Sequence, residues 1–192
     1  KVDKLIISTD DDEIASVAKD FGAEVPFKRP KNLSWDCPSE DVSLHALEYE
    51  EKINRTKVKS LVTLQPTTPF TTNRDIDICI EILDSNPELT SVFSAKLVRE
   101  RPEWMFTFND SRDLLTTYLG EIPNKEKGIS QNLQELVIPN GGIYVTNKEA
   151  LIEEKSLITQ KTSCHIMSDI DSVDIDEPID FIIAESILRQ RK

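Results

Sequence analysis

The chain has 192 residues, enough for one domain with a full core, and its formal net charge of −12 argues against a nucleic-acid partner. Its three cysteines are widely spaced without a Cys-x-x-Cys pair, which argues against zinc and disulfides and favours reduced thiols in a cytoplasmic protein. The five glycines form neither a Gly-x-Gly-x-x-Gly turn nor a Walker loop, and no apolar run approaches the ~18 residues of a membrane span.

The first third of the chain alternates between strand and helix patterns. Residues 4–8 and 23–27 are apolar and predict short strands, and the helix between them, 14–21, ends at a glycine. Residues 29–38 are loop-like, and a second helix pattern begins at Ser39.

The central segment predicts a strand, a rigid loop and a helix. The apolar strand starts at Leu61 and stops at Gln65, because Pro66 and Pro69 prevent a strand or a helix from continuing. A helix over 74–83 and a strand over 90–95 follow. This alternation predicts one α/β domain over residues 1–192 with a largely parallel, helix-covered sheet, and ligands bind such sheets at the carboxyl ends of their strands.

Residues 96–135 interrupt the alternation and have one short strand candidate, 104–108. Forty residues are too long for an ordinary connection, so this excursion is interpreted as a subunit contact or a lid. The alternation resumes with a strand over 142–146 and a short helix at Lys148, and residues 173–176 then lead into a last helix.

Asp174 and Asp176 are the best candidates for metal ligands. On an extended backbone their carboxylates point to one side, and hard oxygen ligands so placed suit Mg²⁺ with substrate phosphates and water. The alternative is that both acids only occupy the start of the helix near Pro178.

Other polar residues have similar alternatives. Asp10 follows a strand and is either a nucleotide contact or a helix cap, and Arg29 is either a phosphate ligand or a solvated arginine. Asn140 lies in a glycine turn and either contacts a ligand or shapes that turn, and Gln65 either recognises hydroxyl or carboxylate groups or satisfies its own loop. No triad is apparent around the two histidines, so the inventory fits direct displacement on a metal-bound phosphate.

Taken in order, these segments resemble the acylneuraminate cytidylyltransferase family, the CMP-sialic acid synthetases and their relatives. The resemblance runs nearly end to end, and its strength comes from the order of six short motifs. They are Ile7-Ser-Thr-Asp-Asp11, Gly22-Ala-Glu-Val25, Arg29-Pro30, Leu64-Gln-Pro-Thr-Thr-Pro69, Pro139-Asn-Gly-Gly-Ile-Tyr144 and Asp174-Ile-Asp176.

The resemblance implies a Rossmann-like nucleotidyltransferase fold and a reaction of CTP with a nine-carbon 2-keto sugar acid, giving the CMP-sugar and pyrophosphate. It also implies a homodimer built through residues 96–135. The implied roles fall into three groups. Asp174 and Asp176 would hold Mg²⁺; Arg29, Ser39 and Asp10 would serve the nucleotide; and Gln65, Asn140 and Tyr144 would serve the sugar.

Three departures from the family pattern limit this expectation. The family's first strand and basic glycine-rich loop do not appear after Lys1, so the chain as given is expected to bind CTP poorly and to turn over little or nothing. Ser130 and Ile138 stand where sialic-acid members have arginines, and Leu157 lies where some members have an aromatic pair. Another sugar acid such as 3-deoxy-octulosonate, or a non-catalytic nucleotide-sugar module, therefore stays open.

Overall fold

A computed structural model describes residues 1–35, 37–120 and 133–191. Its helices are α1 Asp12–Asp20, α2 Ser39–Lys52, α3 Asn73–Ser85, α4 Lys148–Glu154 and α5 Pro178–Gln190. Its strands are β1 Ser60–Leu64, β2 Ser91–Leu97, β3 Phe106–Phe108, β4 Leu115–Thr117, β5 Val137–Asn147 and β6 Thr162–Ile166. Along these ranges, no helix combines the length and the apolar character needed to cross a bilayer.

The central sheet has the strand order β1-β5-β2-β6. Strand β2 is parallel to β6, whereas β5 is antiparallel to both β1 and β2. Three of the four strands therefore share one direction, as the alternation predicts, and β5 alone is reversed. Because of this, the carboxyl ends of β1, β2 and β6 and the beginning of β5 lie at the same edge of the sheet.

The two faces of the sheet are covered by different helices. On one face, α3 packs on a core that contains Cys79, Val92, Ile143 and Val145, each completely or almost completely buried. Side chains alternate along β5, so Tyr144 points to the opposite face, where α2 lies against β1. Tyr144 therefore lies in the layer between the sheet and α2, close to the carboxyl edge.

The first two predicted strands are shorter than expected. Within residues 4–8 and 23–27 there is only an isolated parallel bridge, Ile6 with Glu24, and a second one, Thr9 with Lys28, lies just beyond both segments. Pro26 lies between the two bridged positions and has no N–H to donate, so a continuous ladder cannot form there. Helix α1, Asp12–Asp20, connects the two segments and overlaps the helix predicted over 14–21.

Two of the predicted helices, α1 and α3, begin with a polar side-chain cap. Asp11, rather than Asp10, caps α1, because its Oδ1 accepts the N–H groups of Glu13 and Ile14 at 2.8 Å each. Thr72 caps α3 in a capping box with Asp75.

The excursion between β2 and β5 contains a short hairpin, β3 paired antiparallel with β4. Strand β3 confirms part of the strand candidate at 104–108. Its apolar side chains Phe106 and Phe108 are exposed, as is Tyr118 just after β4. Residues 121–132, which include Ser130, lie outside the described ranges, and the roles predicted for the excursion stay predictions.

Candidate active site

The loop after β1 is fastened to two other segments at the carboxyl edge. The N–H of Gln65 donates to the carbonyl of Gly142 at 3.3 Å, and the N–H of Ile175 donates to the carbonyl of Thr67 at 2.9 Å. Pro66 and Pro69 restrict the backbone between these contacts. The loop therefore joins β5 to the segment that carries the acid pair, more than a hundred residues later.

A bulge at the beginning of β5 brings two of the predicted site residues together. Phe93 pairs with Tyr144 while Ala95 pairs with Pro139, so β5 has extra residues between these positions. Gly141 occupies this bulge with φ +78°, and a Cβ there would lie 3.0 Å from Asp174 Oδ2 and 3.4 Å from Gln65 Oε1. Only glycine fits here without displacing the carboxylate or the amide.

Of the two predicted metal ligands, Asp174 has the more unusual environment. Its Oδ1 is buried without a hydrogen-bond partner, which is costly for a carboxylate unless a cation or another donor completes it. Within the described ranges, no group of three or more His, Cys, Asp or Glu side chains is arranged to hold a metal. A cation at Asp174 would thus take most of its ligands from phosphate oxygens and water, as Mg²⁺ commonly does.

Asp180, rather than Asp174 or Asp176, accepts hydrogen bonds at the start of α5. Asp180 accepts the N–H groups of Asp176 and Glu177 at 3.0 and 2.8 Å, and so satisfies the first free donors before α5. The side chain of Asp176 is not needed for that purpose, and the residue is exposed. Both acids are thus free of the capping role.

Asn140 is buried at 4% exposure and uses both ends of its amide inside the protein. Its Oδ1 accepts the Ser94 hydroxyl at 2.6 Å and the Gly142 N–H at 3.1 Å. Its Nδ2 donates to Ser172 Oγ at 2.9 Å and lies 3.3 Å from Met167 Sδ. These contacts lock the bulge of β5 to the loop that leads to Asp174, and a direct contact of Asn140 with a sugar stays a prediction.

Gln65 also meets the beginning of α2. Its Nε2 donates to Ser39 Oγ at 3.3 Å, so a residue predicted for the sugar touches one predicted for the nucleotide. Tyr144 is half-buried on the same face; burial raises the pKa of its hydroxyl, and the charges of Asp174 and Glu40 add to the rise. The hydroxyl therefore stays protonated at neutral pH and can donate a hydrogen bond.

Arg29 and Asp10 form a separate pair on the N-terminal side. Arg29 Nη2 lies 3.6 Å from Asp10 Oδ1, while the Nε of Arg29 is buried without a partner. Neither side chain forms a hydrogen bond or ion pair with Gln65 or Asp174 in the described part of the chain. The structure thus brings Gln65, Ser39 and Asp174 together and leaves Arg29 with Asp10 as a second polar group.

Sequence reasoning did not single out Ser94 and Ser172, which hold Asn140 in place. The available signal for Ser94 is a hydroxyl in the middle of the buried run from Ser91 to Ala95, where it is 1% exposed. A buried hydroxyl needs a partner, and here it donates to Asn140 Oδ1 and accepts the N–H of Ile143. Of the departures noted above, Ile138 is exposed on β5, and Leu157 is a core residue at 3% exposure.

Comparison with known proteins agrees with this architecture. The family model described as cytidylyltransferase matches residues 1–165. A CMP-N,N'-diacetyllegionaminic acid synthase from Legionella pneumophila is 29% identical over 189 residues, covering 97% of this chain and 78% of the relative. An N-acylneuraminate cytidylyltransferase from Streptococcus agalactiae is 28% identical over 180 residues, covering 93% of this chain and 41% of that protein.

Among solved structures, a CMP:2-keto-3-deoxy-manno-octonic acid synthetase complexed with CTP matches with a TM-score of 0.64 at 14% identity. The match covers 100% of this chain and 83% of that one, and it confirms the predicted α/β nucleotidyltransferase fold. The family model spans most of the chain and its matched segment includes every strand of the sheet except the last residue of β6. The chain therefore belongs to the cytidylyltransferase family.

Proposed function

We propose that the protein transfers the CMP group of CTP to a nonulosonic acid of the sialic, legionaminic or pseudaminic type and releases pyrophosphate. The observation that carries this proposal is the convergence of Gln65, Gly141 and Asp174 at the carboxyl edge, with one buried carboxylate oxygen left without a partner. Relatives bearing the names of CMP-diacetyllegionaminic, N-acylneuraminate and pseudaminic acid enzymes support the substrate class.

The acid pair serves the phosphates. Asp174 and Asp176 would hold Mg²⁺, which offsets the negative charge of the triphosphate when bound. The rigid loop keeps Gln65 beside Asp174, so the amide can orient the sugar where the carboxylates orient the α-phosphate. The oxygen of the sugar hydroxyl then bonds to the α-phosphorus, its proton passes to water, and the bond from the α-phosphorus to the bridging oxygen breaks as pyrophosphate leaves, with no bond formed to the protein.

Different residues serve the sugar acid and the nucleotide. Tyr144, protonated at neutral pH, donates a hydrogen bond to the sugar acid, while Asn140 positions the bulge beneath it. Ser39 and Arg29 serve the nucleotide, and a phosphate would give Arg29 a partner for its Nε, which Asp10, 3.6 Å from Nη2, does not supply. Together these groups divide the edge into a sugar side and a nucleotide side.

We also propose that the protein is a cytoplasmic homodimer. The cysteines are free thiols, as expected for a reducing compartment. The hairpin of β3 and β4 exposes Phe106 and Phe108, which a second copy of the chain would cover. In this arrangement the excursion is the dimer contact.

A panel of acceptors tests the proposed function. The protein expressed from its complete reading frame is incubated with CTP, Mg²⁺ and either N,N'-diacetyllegionaminic, N-acetylneuraminic, pseudaminic or 3-deoxy-manno-octulosonic acid, and pyrophosphate is measured. Release with at least one nine-carbon acid is expected. Release with the eight-carbon acid alone would favour the octulosonate alternative, and silence across the panel from folded protein would favour a non-catalytic module.

A further inference from the structure

Arg191, the residue that follows the last turn of α5, contacts two loops of the candidate active site. Its guanidinium carbon lies 4.6 Å from the centre of the Phe70 ring, a cation–π distance, and its Nη2 forms an ion pair with Asp171. Phe70 belongs to the loop after β1 that carries Gln65, and Asp171 lies in the loop that leads to Asp174. One side chain therefore bridges the segment of the amide and the segment of the acid pair.

Phe70 is a buried part of the loop after β1. It is 8% exposed, and the Arg191 guanidinium covers one face of its ring. Thr68 donates its hydroxyl to the carbonyl of Gln65 at 3.1 Å, so the turn between Gln65 and Phe70 is held by a hydrogen bond of its own. Because this turn is short and also contains two prolines, a shift of Phe70 would be transmitted to Gln65.

Asp171 is held equally well in the loop after β6. Its Oδ2 accepts the Ser168 hydroxyl at 2.7 Å, and its N–H donates to Ser168 Oγ at 3.1 Å. The next residue, Ser172, is completely buried and accepts a hydrogen bond from Asn140 Nδ2 at 2.9 Å. The Asp171 carboxylate is thus connected to the bulge of β5 and, through Ser172, to Asp174.

The two loops also meet through their backbones, where the N–H of Ile175 donates to the carbonyl of Thr67 at 2.9 Å. One hydrogen bond fixes one pair of atoms, so the loops could still rotate about it. The contacts of Arg191 act at a second point and oppose this rotation. Since Asp174 Oδ1 has no partner of its own, its position depends on how the loop backbone is held.

We propose that Arg191 is a positioning residue for the transfer reaction and holds Gln65 and Asp174 in place relative to each other; the inference rests on the proposed function. Arg191 acts through Phe70 and Asp171 rather than by contact with a substrate. A guanidinium suits both contacts, because it is flat enough to stack on a ring and keeps N–H donors at its edge for a carboxylate. A misplacement of about 1 Å in groups that orient substrates can cost about 100-fold in rate, so a contact outside the site can control turnover.

Hydrogen–deuterium exchange tests the bridge without turnover, on the protein expressed from its complete reading frame and without substrates. In Arg191→Ala we expect the amides of peptides covering 65–72 and 169–176 to exchange at least about threefold faster than in the wild type. Arg189→Ala is the matched control, because Arg189 also lies at the end of α5 but pairs with Glu185, and both side chains are exposed. Exchange should not change in the control, and unchanged exchange in Arg191→Ala would overturn the proposal.

Turnover separates positioning from stabilisation. For Arg191→Ala we expect kcat to fall about tenfold under conditions where the protein is folded, while the KM for CTP changes by less than about twofold. Arg191→Lys keeps a charge beside Asp171 but loses the flat group over Phe70, so it should restore only part of the lost kcat.

Two outcomes would count against the proposal in different ways. A lower unfolding midpoint with wild-type kcat in Arg191→Ala would show that Arg191 only stabilises the fold, and would overturn the positioning role. Faster exchange in Arg191→Ala, with no pyrophosphate released by the wild type from any acid of the panel, would keep the bridge between the loops. That result would refute the proposed function and, with it, the role of Arg191 in transfer.

Discussion

Two aspartates of this protein, Asp75 and Asp174, lie at the same sheet edge in opposite states. Asp75 is fully engaged: its Oδ2 accepts the N–H and hydroxyl of Thr72, at 3.0 and 2.5 Å, and its Oδ1 lies 3.0 Å from His165 Nε2. Asp174 is not, because its Oδ1 is buried without a partner and its Oδ2 faces the bare backbone of Gly141.

The difference indicates what each carboxylate is for. A buried polar group with all its partners stabilises the native state, whereas one left incomplete lowers stability and persists where a ligand completes it. Asp75 therefore belongs to the architecture of α3 and β6, whereas the unpartnered oxygen of Asp174 supports the ligand-binding role proposed for it. Substituting each of the two residues in turn tests this difference.

The largest expected effect is that of Asp174→Asn on activity. Removing the charge weakens the hold on the cation and the phosphates, and we expect kcat to fall at least about 100-fold, corresponding to a few kcal/mol of transition-state stabilisation. Stability should be equal to or higher than that of the wild type, because a buried, incomplete charge is removed. Pyrophosphate release and urea unfolding measure the two properties on the same sample.

Gly141→Ala should have an intermediate effect on both properties. The new Cβ would lie 3.0 Å from Asp174 Oδ2, and alanine at φ +78° costs about 1–2 kcal/mol in backbone strain. Gly22→Ala is a matched control, since Gly22 has φ +82° and no described atom lies within 4 Å of the point that an alanine methyl would occupy. We expect similar losses of stability in both variants, but a loss of roughly tenfold in kcat only for Gly141→Ala. Equal activities would show that the contact with Asp174 does not matter.

The smallest effect is that of Asp75→Asn, and it concerns stability. Burial alone would raise the pKa of the Asp75 carboxyl, but the hydrogen bonds from Thr72 and His165 outweigh it and hold that pKa below its usual range. The charged form is thus stabilised by folding, and the contribution is present above the unfolded pKa of about 3.9 and is lost as pH falls through the lower folded value.

The Asp75→Asn variant should therefore be less stable than the wild type by about 1 kcal/mol at pH 7, with a smaller difference below pH ~4. Urea unfolding at several pH values measures this difference. A gap that stays constant or widens on acidification would contradict the assignment of Asp75 as a charged capping residue.

The strand, loop and helix from Ser60 to Ser85 are predictable from sequence because local rules determine them. The apolar run marks β1, the prolines stop it, and Thr72 with Asp75 has the spacing of a capping box. The order of the short motifs likewise predicts the family and the meeting of Gln65, Ser39 and Asp174 at the edge, although Arg29 and Asp10 form a separate pair. These features depend on neighbours in sequence or on a pattern shared with relatives.

Other features depend on contacts between distant segments and have no local signal. The reversed direction of β5 follows from its pairing with β1 and β2, which no periodicity encodes. The engagement of Asn140 requires Ser94 and Ser172, 46 and 32 residues away. The unpartnered oxygen of Asp174 likewise results from how three separate segments meet, and so it is visible only in the folded chain.

The most direct test of the account is the ratio of kcat for Asp174→Asn to kcat for Asp75→Asn. It is measured as pyrophosphate release at saturating CTP, Mg²⁺ and the accepted sugar acid, at a pH of about 7.5 and under conditions where both variants are folded. We predict near wild-type turnover for Asp75→Asn and a loss of at least about 100-fold for Asp174→Asn. Equal turnover in the two variants would contradict the assignment of Asp174 to the active site.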